Sequence, residues 1–501
     1  MTFKLKPEIE EGNIEYKRKI TKPTTERLNQ LITQMKWRLN EGNGEAIYYI
    51  GVEDNGSISG ISNNDLKESI KNIKIMIKNI DGKLIKLEKK IINRQQFYKI
   101  IIHKKFMYEN KIKYNFIFMG SSQSGKSTLI SYFIYGIKDD GNGSSRLSLF
   151  NHQHEMFTGK TSSVSLNTIG YNKKNILNYN NFNKEDIITK SNKLITLIDV
   201  PGNNKYFKTT FNTFLSYNVD FVFIIIDINK IKDTLIYIKM CNYFKIGYSI
   251  IFNKSDLIIS NEKITNFINK IKKELNIKLY KFNKQYDEKK KYYNIISCKT
   301  LNGINKLESF LYNVSNKKYV KTKSLTNDNE LQILDTFYIY NIGTVISGLI
   351  NSGKIKKNNK YFIGPFDNNK FEKIVVNSIH KFEIPIVEVQ KYNIISVTVE
   401  FINKNINKKI KKDMIITDNI NNLIFYNEIT IELIMIKNFN IKKKNVFTMY
   451  IRNMIRLVEI LEINDNNKYL IKIINKDIML KNNDRIILKG NDIIGFGKVL
   501  L

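Results

Sequence analysis

Apolar and polar positions follow three successive rhythms along this chain. Over roughly the first 110 residues the pattern is mixed. In TKPTTERLNQLITQMKWRLNEG (21–42) apolar residues fall at 28, 31, 32, 35 and 39, with Pro and Thr ahead of them and Gly behind. That spacing predicts an amphipathic helix. EAIYYIGVEDNGSISGI (45–61) sets two apolar runs around Asp54-Asn55-Gly56, which predicts a β-hairpin. NDLKESIKNIKIMIKNIDG (64–82) predicts a second helix, and KLIKLEKKI (83–91) and QFYKIIIHKK (96–105) predict strands. A small α+β unit without site chemistry is expected here.

From 113 to about 318 short apolar strands alternate with helical stretches. The strands are YNFIFM (114–119), LITLIDV (194–200), DFVFIIID (220–227) and YSIIFN (248–253). This order predicts parallel strands joined by crossover helices. After about 330 the runs shorten and Gly and Asn turns multiply, as in FYIYNIGTVISGLINSGKI, KYFIGPF, KIVVNSIH and IISVTVEF. The same texture returns from about 424, which predicts two successive β-barrels. The expected architecture is multidomain: an α+β domain at 1–110, a mostly parallel α/β P-loop domain at 111–320, and β-barrel domains at 328–420 and 421–501.

Composition changes this picture in two places. The N-terminus has no apolar signal core, and the longest apolar run, FVFIIIDI (221–228), is far short of a membrane span. Two cysteines, Cys241 and Cys298, match no zinc spacing. A soluble, cytoplasmic, monomeric protein is therefore expected, with no membrane partner. The formal net charge of +34 attracts nucleic acid. The same Lys, Asn and Ile excess also follows from an A/T-rich genome, so both origins of the charge stay open.

The chemistry begins at FIFMGSSQSGKSTLI (116–130), a strand, a Gly-rich loop and a helix. Residues Gly120, Ser121, Ser122, Gln123, Ser124, Gly125, Lys126, Ser127 and Thr128 have the P-loop spacing. Glycines let the backbone wrap phosphate oxygens, Lys126 supplies a cation, Ser127 offers a hydroxyl to Mg²⁺, and the helix start points N–H groups at the anion. DVPG (199–202) ends the next motif strand: Asp199 is placed to hold Mg²⁺ through water, and the Gly202 N–H to sense the γ-phosphate. Thr161 in GKTSSVS (159–165) lies where a switch threonine would close on Mg²⁺. NKSD (253–256) follows a strand. Asp256 can accept two hydrogen bonds from guanine, whereas adenine would leave the carboxylate unpaired. Asn253 would tether the loop, Lys254 would lie along the base, and Ser297, Cys298 and Lys299 of SCKT (297–300) could present a backbone N–H to the guanine oxygen.

GSSQSGKST, GKTSSVS, DVPGNNKYFKTT, NKSD and SCKT stand in the order of the translation-factor GTPases. EIEEGNIEYK, ITQMKWRLNEGNGEAIYYIGVEDNG, GKTSSVSLNTIGY, VISGLINSGKI and FIGPF narrow the likeness. The chain resembles the GTP-binding protein 1 group, relatives of eukaryotic elongation factor 1A, and its composition suggests a giant-virus or protist homologue. The resemblance implies GTP and GDP as ligands, Mg²⁺ as cofactor, and tRNA, ribosomes or mRNA turnover as the setting. It also implies a host-cytoplasmic location if the source is viral.

Two residues depart from the family pattern. Asn203 stands where the family has the histidine that positions the attacking water, and Gln123 stands where translation factors usually carry an aspartate. Both face the terminal phosphate, so retained binding with slowed hydrolysis is expected. His152 and His154 are weak candidates to substitute, and as a metal pair they lack further ligands nearby. A GTP-binding switch with negligible turnover is the main alternative. An ATP-dependent enzyme and an RNA-binding protein with a vestigial nucleotide site are the others.

Overall fold

In a computed structural model the chain is described at residues 4–42, 44–80, 82–104, 111–141, 143–150, 155–156, 161–180, 183–227, 234–257, 261–282, 286–315, 328–340, 342–403, 408–421, 423–436, 440–464 and 467–501. Its first unit comprises β1 (Ile14–Lys17), α1 (Thr25–Glu41), β2 (Glu45–Ile50), α2 (Asn63–Asn79), β3 (Gly82–Ile92) and β4 (Gln95–Lys104). The sheet order is β1-β2-β4-β3, with β1 parallel to β2 and the other pairs antiparallel. Helix α1 starts where the Thr24 side chain caps the Arg27 N–H. Its Leu31, Met35 and Leu39 pack with Ile73, Met76 and Ile77 of α2 over Tyr48, Ile50, Ile100 and Ile102.

The hairpin expected at 45–61 is not formed as such. The Asp-Asn-Gly turn is present, with Gly56 at φ +83° and its N–H donating to Glu53 O at 2.8 Å. The second arm, however, shrinks to one bridge, Val52 to Ile58. Both edges of β2 are already taken by β1 and β4, so the second apolar run finds no free ladder.

The EIEEGNIEYK stretch is anchored by Arg38. Its Nε donates to Glu15 Oε2 at 2.7 Å and its Nη2 to Glu8 Oε1 at 2.6 Å. Nη1 meets the carbonyl oxygens of Ile9, Glu10, Glu11 and Gly12 at 3.0–3.2 Å. Glu15 is fully buried and Arg38 nearly so. Removing one member of such a network strands a buried charge. Arg38→Ala is therefore expected to destabilise this unit by about 3 kcal/mol, measured by chemical denaturation, with unchanged stability arguing against the anchor.

The second unit contains β5 (Ile112–Met119), α3 (Lys126–Tyr135), β6 (Ser165–Asn172), β7 (Asn175–Ile176), α4 (Lys184–Lys190), β8 (Lys193–Asp199), α5 (Phe207–Ser216), β9 (Phe221–Asp227), α6 (Leu235–Tyr243), β10 (Gly247–Asn253), α7 (Asn261–Leu275), β11 (Leu279–Lys281), β12 (Lys291–Ile295) and α8 (Ile304–Val314). The eight-stranded order is β11-β12-β10-β9-β5-β8-β6-β7. The strands from β11 to β8 run parallel, as the alternation predicts. Strands β6 and β7 add an antiparallel edge that the apolar pattern did not announce. β9 is buried along its whole length. This places the carboxyl ends of β5, β8 and β10 at the same end of the sheet, with β9 between β10 and β5, where open α/β sheets bind ligands.

Two closed β-structures follow. Strands at 330–339, 343–352, 394–401, 372–381, 360–364 and 415–417 close into one six-stranded ring, with 384–386 appended. Strands within 428–500 form a second closed barrel of six. The α/β sheet's core continues into the second barrel: Phe211 of α5 meets Tyr450 at a ring separation of 5.8 Å, and Phe244 meets Phe496 at 5.8 Å. Among the described residues no helix is long and apolar enough to cross a membrane.

Candidate functional site

The loop after β5 has the backbone that a tight anion cradle needs. Gly120 has φ +151°, and a Cβ there would lie 2.1 Å from Ile225 O. Gly125 has φ +94°, and a Cβ there would lie 2.1 Å from Asn253 Nδ2. Only glycine fits either place. Gln123 is also left-handed, at φ +63°. Lys126, the first residue of α3, is buried, and its Nζ donates to Gly120 O at 3.1 Å and Ser121 O at 3.0 Å. Burial pushes its pKa down to about 8, against the pull of Asp199. The Ser121 and Ser124 hydroxyls are buried without a partner, and Ser122 and Thr128 line the cavity mouth.

Ser127 joins three chain segments. Its hydroxyl donates to Asp199 Oδ2 at 2.6 Å and lies 2.9 Å from Thr161 Oγ1. Asp199 Oδ1 is buried and has no partner, and burial raises the carboxyl pKa to about 6, with Lys126 and Ser127 opposing. Gly202 lies directly over the loop: a Cβ there would be 2.4 Å from Lys126 Nζ and 2.6 Å from Gly120 O.

Asn203 is engaged locally. Its Oδ1 accepts the Lys205 N–H at 3.0 Å and its carbonyl accepts the Tyr206 N–H at 2.8 Å. The side chain is thus used as an Asx-turn that opens the short helical turn at Asn204–Tyr206. His152 and His154 lie outside the described residues.

At the end of β10, Asn253 ties two loops together. Its Nδ2 donates to Ser124 O at 2.8 Å and its Oδ1 accepts the Cys298 N–H at 3.2 Å. Lys254 has φ +66° and pairs with Asp227 at 2.7 Å. Exposed Asp256 accepts a hydrogen bond of 2.5 Å from Ser297, whose hydroxyl also accepts the Thr300 N–H at 3.1 Å. Burial pushes the Cys298 thiol up to about 12, so it stays protonated. Lys299 approaches the other loop: a Cβ on Gly141 would be 3.7 Å from its Cε. The fold therefore gathers the described candidate residues at the carboxyl end of the sheet.

Residues 111–340 match the family model of the elongation factor Tu GTP binding domain. GTP-binding protein 2 of Mus musculus is 29% identical over 404 residues, covering 75% of this chain and 67% of that protein. GTP-binding protein 1 of Xenopus laevis is 26% identical over 397 residues, covering 74% of this chain and 60% of that protein. The chain is a homologue of GTP-binding proteins 1 and 2, and its residues 111–340 are similar to the elongation factor Tu GTP binding domain. The crystal structure of the S. cerevisiae Ski7 GTPase-like domain, bound to GDP and inorganic phosphate, superposes with a TM-score of 0.62 at 17% identity. It covers 78% of this homologue and 97% of the Ski7 chain, and it shares the fold.

Translation-factor-like GTPases typically use Mg²⁺. In this homologue the donor set fits that ion: two hydroxyls and one carboxylate, all hard oxygens, with Asp199 Oδ1 still unpartnered. Two neighbours escaped the sequence reading. Buried Glu155 accepts from the N–H and hydroxyl groups of Ser162 and Ser163 at 2.6–3.1 Å, pinning the segment that carries Thr161. Arg146 lines the cavity beside Lys126. Only the acid-then-Ser/Thr run EMFTGKTSS hinted at the first, and nothing local marked the second.

Proposed function

We propose that this protein binds GTP with Mg²⁺ and hydrolyses it slowly, as a translation-factor-like GTPase acting on ribosome- or RNA-related partners. The observation that carries this is the meeting of Ser127, Thr161 and Asp199 beside buried Lys126. Three separate segments contribute one oxygen-rich pocket next to one buried cation. An anionic phosphate beside Lys126 and a cation beside Asp199 would relieve the burial of both charges. Ser127, Thr161 and Asp199 would hold Mg²⁺, Asp199 through water, and the ion would neutralise charge on the terminal phosphates. Lys126 and the N–H groups of the loop would orient the phosphates, and Gly202 would sense the last of them. The loop of Asn253, Lys254 and Asp256, braced by Ser297, would select guanine.

Slow turnover is supported by the same geometry. Asn203 spends its side-chain oxygen on the Lys205 N–H, and an amide cannot share a proton with a water. This also favours the second reading, a GTP-controlled switch with negligible hydrolysis.

The RNA-related setting is supported by the +34 charge and by the exposed aromatic hairpin of the first barrel. There Tyr338 is 79% and Tyr340 83% exposed, giving bases a surface to stack on.

Base choice is testable by competition. Asp256→Asn is expected to weaken GTP binding by about 100-fold or more, because two hydrogen bonds to a charged acceptor are lost. Excess ATP should displace a labelled guanine nucleotide poorly from the wild type. Equal displacement by ATP and GTP would refute the guanine assignment.

A further inference from the structure

We infer that Arg146 is a further phosphate-binding residue, one that grips the terminal phosphate and so distinguishes a nucleoside triphosphate from a diphosphate. This rests on the nucleotide reading of the site. Three observations carry it. The first is place. Arg146 lines the same cavity as Gln123, Lys126, Ser127, Thr161 and Gly202. Gly202 and Thr161 mark its terminal-phosphate end, because Gly202 presses on Lys126 Nζ and Thr161 on Ser127.

The second is how the side chain is held. The loop from α3 to Arg146 is wound by its own carboxylates. Asp139 accepts from the Gly141 N–H at 3.0 Å, the Ser145 N–H at 3.2 Å and the Ser145 hydroxyl at 2.8 Å. Asp140 accepts from the N–H groups of Gly143 and Ser144 at 3.1 and 3.3 Å. The Ser131 hydroxyl of α3 bonds the Ser145 carbonyl, fixing the loop to the helix that begins at Lys126. Buried Gly143, at φ +91°, lets the guanidinium lie on it: a Cβ there would be 2.4 Å from Nε.

The third is chemical identity. Only eight of the chain's 81 Lys and Arg residues are arginines, and Arg146 is the single one between Arg94 and Arg452. Arg38, Arg452 and Arg456 each hold a carboxylate at 2.6–3.0 Å. Among the described residues no carboxylate lies within ion-pair distance of Arg146. A planar donor fork aimed at a phosphate cavity, in a chain that elsewhere prefers lysine, matches bidentate recognition of phosphate oxygens. It would also return positive charge to the end of the site where Asn203 and Gln123 are neutral.

The test compares GDP with a non-hydrolysable GTP analogue on the full chain, by fluorescence titration with Mg²⁺. Arg146→Ala is expected to weaken the triphosphate by about 10–100-fold while GDP changes by less than about threefold. Arg146→Gln keeps a polar side chain with part of the aliphatic stem and removes the charge, so it should behave alike even if the alanine variant folds poorly. Arg146→Lys should recover only part of the loss. Equal weakening of both nucleotides, or of neither, would overturn the inference and leave the nucleotide site standing. A wild-type protein that binds neither nucleotide would overturn both.

Discussion

Replacing Lys126 by alanine is expected to abolish GTP binding, raising Kd by about 1,000-fold or more, while the protein melts no lower than the wild type. In the intact site the ammonium reaches two backbone carbonyls of the cradle and faces the phosphate cavity. Its loss removes charge-assisted bonds to the phosphate oxygens of about 1.5–3 kcal/mol each. Two such terms account for a factor near 1,000. Stability should move the other way. Burial lowers the pKa of Lys126 to about 8, so the charged form at neutral pH is a net cost to the folded chain, and alanine removes it. Titration of a fluorescent GTP analogue beside a thermal melt separates the two effects. Normal affinity in the variant would sink the phosphate-site assignment, whereas lost affinity with a collapsed melt would point to misfolding.

The second large effect is expected at Asn203. Asn203→His should raise ribosome-stimulated, single-turnover GTP hydrolysis by about 10²-fold, within the 10²–10⁴ range typical of a positioned proton-sharing group. Affinity for GTP should stay the same, because Asn203 touches neither Lys126 nor Ser127 among the described contacts. The substituted ring has to stand in for an Asx-turn, so part of the gain would be lost if the turn at Asn204–Tyr206 loosens. Wild-type turnover with ribosomes equal to that of ordinary elongation factors would refute the view that the amide is limiting. Unchanged turnover in Asn203→His, with binding intact, would favour the pure switch.

Much of the candidate site was legible in the sequence because each motif is a contiguous run that follows a strand. Gly120 to Thr128 need only local chain geometry to form a cradle, and Asn253 to Asp256 need only a strand end. Their order then sufficed to place them at the same end of one parallel sheet. Asp227 and Arg146 were not legible, since each lies far in sequence from the residues it faces, whereas Glu155 acts within its own segment and only the acid-then-Ser/Thr run hinted at it. The hairpin at 45–61 misled for a related reason. Its turn chemistry was right, but pairing depends on which strand edges are free, and β1 and β4 had claimed both. The antiparallel edge strand β6 was missed because SLNTIGYN lacks a clean alternation and is a strand by virtue of its pairing with β8.

By itself, then, the sequence determined the class of each unit, the P-loop spacing of 120–128 and the presence of an amide at residue 203. These depend on spacing, turn residues and residue identity, which are local. Only the tertiary structure decided that Ser127, Thr161 and Asp199 share hydrogen bonds, that Asn203 turns back on its own helix, and that a lone arginine faces the cavity. Apart from the local turn at Asn203, those facts come from segments tens of residues apart. What brings them together is the burial of the sheet between its helices, a property of the whole packed core rather than of any one stretch of chain.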